Sequence, residues 1–134
     1  MSTTAILRAS LEVMNGFIYS PMPDIAWPGI PFTPPAEGLW LQFGYFPNDD
    51  ENIAWDDDSC VESRGHLRIL VYYRPGVGTV KPTILADELI KHFSKGLQLG
   101  PVRVSKRAWQ TLPVAEDSSK SYIPVTVPYQ GLTQ

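Results

Sequence analysis

A chain of 134 residues with 43% apolar content fits one domain, residues 1–134, large enough to bury a core without staples. A formal net charge of −3 gives no global basic field for DNA or an anionic membrane surface, and the single cysteine, Cys60, excludes an intrachain disulfide. A lone thiol suits a reducing compartment. No run approaches the ~20 apolar residues that span a bilayer, and MSTTAILRASLEVMNG lacks the separate apolar stretch of a signal peptide.

In chain order, Ser2 or Thr3 can cap a first helix whose Ile6, Leu7, Leu11 and Met14 share one face. Arg8, Ser10 and Glu12 are expected on the other face, and Gly16 is a suitable stop. Residues 17–38 form a proline-rich segment in which prolines 21, 23, 28, 31, 34 and 35 oppose regular ladders and helix interiors. Such a composition also suits disorder, but Ile25, Trp27, Ile30 and Phe32 can pin it as an extended, semi-rigid arm.

Leu39 to Phe46 alternates as a strand with Leu39, Leu41, Phe43 and Tyr45 on one face. An acidic loop, residues 48–59, follows. It holds Asp49, Asp50, Glu51, Asp56, Asp57 and Asp58, and the rest of the chain sets eleven basic residues against eight acidic ones. His66 to Tyr73 is a second strand with Leu67, Ile69, Val71 and Tyr73 on its apolar face. Pro82 suits the first turn of a helix running to about Lys95, buried along Leu85, Leu89, Ile90 and Phe93, with Asp87 and Lys91 spaced to pair. Val102 to Arg107 and Tyr122 to Gln130 complete the strands. Pro124 and Pro128 remove two N–H groups from one side of the last strand, which predicts a sheet edge there. The order predicts an α+β fold: a single twisted, mostly antiparallel sheet of about four or more strands, with two helices packed on one face.

The stretch VYYRPGVGTVKP places two glycines between strand and helix, the order of a phosphate-binding loop. The dinucleotide fingerprint needs a third glycine where Lys81 stands, and Pro75 and Pro82 remove two backbone donors from any cradle. Gly76 and Gly78 are therefore expected to supply positive φ in a tight turn, with no nucleotide or other cofactor. His66 and His92 have no sequence-local nucleophile; a Cys60–His66 dyad of a small Cys/His hydrolase competes with the plainer and preferred reading of Cys60 as a small apolar residue at a strand entrance. One cysteine and two distant histidines are a poor zinc set, and the acidic loop has neither the glycine nor the closing glutamate of an EF-hand. That loop reads as a solvated face or as a docking element for a basic partner, and divalent cations would bind it only casually. Only VRVSKRAW, with Arg103, Lys106, Arg107 and Trp109, has the basic and aromatic texture of a nucleic-acid surface, too little for a specific one.

Three stretches, IAWPGIPFTPPAEGLWLQF, RGHLRILVYYRPGVGTVKPTILADELIKHF and SYIPVTVPYQ, follow a short N-terminal helix in the order seen in a family of small tailed-bacteriophage proteins. The chain resembles this tail terminator-like family over most of its length. The resemblance implies a structural virion protein without catalytic residues. It would form a ring, usually of six copies, cap the head-proximal end of the tail tube, stop tube polymerisation and offer a surface to the head-tail connector or stopper protein. Another neck protein, a head-tail stopper or minor tail protein, fits the same motifs. The acidic residues Asp49, Asp50, Glu51, Asp56, Asp57 and Asp58 and the basic Arg103, Lys106 and Arg107 are the candidate interface, since a ring needs two different patches on each copy.

Overall fold

The computed structural model describes residues 2–19, 22–35, 38–47, 51–52, 61–76, 78–116 and 120–133. Helix α1 (Ser2–Asn15) is followed by β1 (Asp24–Ala26), β2 (Trp40–Pro47), β3 (Glu51–Asn52) and β4 (Val61–Tyr73). Helix α2 (Val80–His92) precedes β5 (Gln98–Leu99), β6 (Val102–Val104), β7 (Trp109–Gln110), β8 (Val114–Ala115) and β9 (Ser121–Thr133). Among the described residues these strands form one sheet in the order β1-β2-β4-β9-β6-β5, with β3 beside β4 and both β7 and β8 beside β9. Only β1 and β2 run parallel. The α+β class and the mostly antiparallel sheet are as expected, and the sheet is more extensive.

Its alternation is read directly from the sequence. Leu41 and Phe43 of β2, Leu67, Ile69, Val71 and Tyr73 of β4, and Ile123, Val125, Val127 and Tyr129 of β9 are all buried on one face. Leu85, Ala86, Leu89, Ile90 and Phe93 of the α2 region and Ile6 and Met14 of α1 close over them. Each large side chain buried in this way contributes about 1.5–3 kcal/mol. Helix α2 begins without a side-chain cap at Thr79, so its stability rests on this packing and on Lys91 and His92 in its last turn.

The details of α1 and α2 differ from expectation in two places. Ser10 is fully buried, because positions 6, 10 and 14 share one helix line, and its hydroxyl is satisfied by donating to the Ile6 carbonyl at 2.7 Å. Asp87 does not meet Lys91. Its carboxylate accepts from the Gln110 amide at 2.6 Å, while Lys91 pairs with Glu88 at 3.3 Å on the exposed surface, a contact of little energetic weight.

The proline-rich segment does contain a ladder. Between Pro23 and Pro28, Ile25 pairs with Leu41 in the three-residue β1, short enough to need no proline N–H. Trp27 then packs beside Phe43 (6.2 Å between rings) on the core face, and Phe32 beside Trp40 (5.2 Å) on the other. The segment wraps the edge of its own sheet. Ile30, expected to help pin the segment, is 61% exposed.

The largest correction concerns β9. It was expected at an edge and lies in the interior, paired along its whole length with β4 from Ser121↔Tyr73 to Thr133↔Val61. The prolines do face the opposite side, as their spacing requires. There the Pro124 carbonyl accepts from Thr111 N–H (3.1 Å) and the Pro128 carbonyl from Ser105 N–H (3.0 Å). Each proline can accept but not donate, so the neighbouring ladder is cut into β6, β7 and β8 instead of being abolished. For the same reason the strand expected over Val102 to Arg107 ends at Val104.

One close approach holds the β2–β4–β9 crossing. A side chain at Gly65 would place its Cβ 2.5 Å from the Tyr129 hydroxyl and 2.6 Å from the Phe46 carbonyl. Gly65→Ala is therefore expected to cost about 1–3 kcal/mol of stability by overpacking. Urea unfolding of the purified protein checks this, and an unchanged midpoint would contradict the packing described.

Candidate interface surfaces

The face of the sheet opposite the helices has two halves. At the Tyr72 end, Trp40 and Tyr72 stack with ring centroids 3.9 Å apart and planes 2° from parallel. Tyr122 joins them at 5.2 Å, and the Tyr72 hydroxyl donates to Glu116 Oε1 at 2.9 Å. With Phe32 above, Trp40 and Tyr72 are buried although they point away from the core. This half is closed by the protein's own chain.

The other half is open. Phe46 lies exposed, stacked on His66 (5.2 Å), with the Arg68 guanidinium 5.7 Å from its ring centre. Register places Arg68 across from Thr126 and Thr126 across from the exposed Trp109. Arg103, between the buried Val102 and Val104, is exposed on this face opposite Gln130, itself paired with Arg64. Lys106 and Arg107 are exposed just beyond β6. Arg103, singled out in the sequence, thus shares this face with Arg68 and Phe46, which were missed. Their only signal was even-numbered placement on strands whose odd positions are apolar.

Of the acidic candidates, Glu51 lies in β3, with backbone opposite Glu62 of β4, whereas Asp49, Asp50, Asp56, Asp57 and Asp58 lie outside the described residues, as does Cys60. The strand ends that bracket residues 53–60, Asn52 and Val61, are paired at the same end of the sheet as Arg64 and Arg103. Of the charged candidates, backbone Glu51 and the exposed Arg103 therefore lie toward the same end of the sheet.

The two histidines stand on opposite sides of the sheet. His66 belongs to the open outer face, while the His92 ring N–H donates to the Val13 carbonyl at 2.6 Å, edge-on to Phe17 and Phe93, and ties α2 to α1. Gly76 and Gly78 have φ of 94° and 87°, with open space where a Cβ would be, and carry the chain from β4 into α2.

Burial first, and the Arg68 guanidinium second, hold the His66 pKa below the ordinary histidine value of 6.5. The unfolded chain then takes up this proton at higher pH than the folded one. The His66 contribution is fully present above about pH 6.5 and is lost as pH falls through the lowered folded value. His66→Gln is expected to flatten the stability curve below about pH 6.5, as read from urea midpoints; an unaltered slope would contradict this assignment.

The motif order, the α+β sheet and the charged outer surface can be set beside known proteins. No curated protein sequence matches the chain. It is similar to a solved structure with 26% sequence identity and a TM-score of 0.71, over 96% of this chain and 94% of that one. A family model described as phage tail terminator protein matches residues 4–129, from the first turn of α1 almost to the end of β9. The chain belongs to the phage tail terminator protein family and is a structural component of the phage tail.

Proposed function

We propose that this protein forms a ring on the head-proximal end of the tail tube, stops the addition of tube protein and offers the head's connector or stopper a surface to join. The observation that carries this reading is the family match over residues 4–129. The ring is a homo-oligomer, six copies in the family's usual form, assembled in the host cytoplasm and retained in the virion. Its work is recognition: it needs no catalytic group, metal or cofactor.

Charge supports the same reading. Asp49, Asp50, Glu51, Asp56, Asp57 and Asp58 lie in or beside the β3–β4 connection, and the exposed Arg103, Lys106 and Arg107 lie near the strands that bracket it. In the proposed ring these groups meet partner surfaces, either between neighbouring copies or between stacked rings. Contacts of this kind set register and rate of association, and salt screens them.

Two experiments test the proposal. Electron microscopy of lysates from phage with an early stop codon in this gene is expected to show overlong tubes and unattached heads. Normal-length free tails beside filled heads would assign the protein to another step of the neck, and normal infectious particles would remove it from assembly. Separately, reversing Asp56, Asp57 and Asp58 to lysine is expected to lower the yield of joined particles and to weaken its dependence on salt. An unchanged yield at every salt concentration would exclude the charged contact.

A further inference from the structure

At the end of the sheet away from the Asn52–Val61 pair, two adjoining hollows of about 440 and 390 Å³ share Gly38, Leu39 and Lys81. Their walls are mostly apolar. Leu39, Pro82 and Val80 line the first, Met22 and Leu85 the second, and Val80 is 71% and Met22 44% exposed. Arg74 and Lys81 stand at the rim, both exposed, and among the described residues neither has a carboxylate partner. Exposed apolar surface beside two exposed cations suits an occupant with apolar side chains flanked by acids.

One segment of this chain has that composition. Residues 49–58, DDENIAWDDD, set Ile53 and Trp55 among six carboxylates. It cannot reach the groove of its own molecule. The chain outside the described residues at this point is eight residues long, and its two ends are held side by side at Asn52 and Val61. A chain of that length can reach at most about 15 Å from its paired ends. Arg74 follows directly on Tyr73 at the far end of β4, twelve steps from Val61 and so about 40 Å away.

We infer that the groove bounded by Leu39, Val80 and Pro82, with Arg74 and Lys81 at its rim, receives the acidic segment of a neighbouring copy, Trp55 entering the apolar floor and Asp56–Asp58 meeting the two cations. Donor and acceptor lie at opposite ends of the subunit. A filled groove therefore leaves the occupant's own groove open for a third copy, a head-to-tail contact that propagates until it closes on itself. This inference rests on the ring proposed above and names the surfaces that build it. It gives the acidic segment its counterpart, and leaves Arg103, Lys106 and Arg107 for a stacked ring.

The natural thiol makes the contact measurable. Cys60 lies two residues beyond Asp58, and Val80→Cys places a second thiol on the exposed groove wall. Phage carrying Val80→Cys are treated with a short bis-maleimide during tail assembly, and the tail fraction is resolved by denaturing electrophoresis. Covalent ladders beyond the dimer are expected. They are expected to disappear in Val80→Cys/Cys60→Ser, in the parent with Cys60 alone, and in Val80→Cys combined with Arg74→Glu and Lys81→Glu, each at least tenfold. If the protein sediments with tails of normal length yet gives nothing above the dimer, the groove contact is overturned and the cap stands. Absence of the protein from the tail fraction overturns the cap and this contact together.

Discussion

The thirteen-pair antiparallel ladder between β4 and β9 is the constraint on which everything else in this protein depends. It sets the odd-numbered residues of both strands on one face, where the helices cover them, and the even-numbered residues on the other. A slip of one residue would exchange the two sets and put Arg68 and His66 into the core. Gly65 fits between Phe46 and Tyr129 only in this register, so the backbone crossing and the hydrophobic pattern specify the same alignment. The two outer ribbons are then hung on this pair: β1 and β2 on one side, and the interrupted β6, β7 and β8 on the other.

Much of this was legible in the sequence. The period-two alternation of Leu67 to Tyr73 and Ile123 to Tyr129 and the helical stripe of Leu85 to Phe93 are local patterns, and they are realised as read. What stayed hidden depends on pairing between distant segments. Pro124 and Pro128 identify which side of β9 loses its donors, but not that carbonyls alone would hold Ser105 and Thr111 there. Ser10 looked polar because its residue type outweighed its position on the Ile6–Met14 line. Trp40 and Tyr72 stand at even positions, off the core face, and their mutual stacking with Phe32 and Tyr122 beside them buries them.

The candidate surfaces were legible in part. Arg103, Lys106 and Arg107 are recognisable as a basic run, whereas Arg68 and Phe46 join Arg103 only through the sheet register. The groove beside Arg74 and Lys81 is assembled from the segment after α1, the start of β2 and the entry to α2. No single stretch announces it. A surface built from three separate stretches is what composition alone cannot find, and it is also the kind of surface that recognises shape as well as charge.

The position of β9 has a consequence for the order in which this molecule comes into being. Its partner β4 precedes it by some fifty to seventy residues of chain, so the central pairing closes a long loop, and folding through such non-local contacts is slow. While the ribosome has not yet delivered β9, β4 lacks a neighbour along one side and the short strands β6, β7 and β8 have nothing to bond. A nascent chain without β9 therefore lacks the outer face on which Arg68, Thr126 and Trp109 stand in register, and that surface exists only once nearly the whole chain has been made.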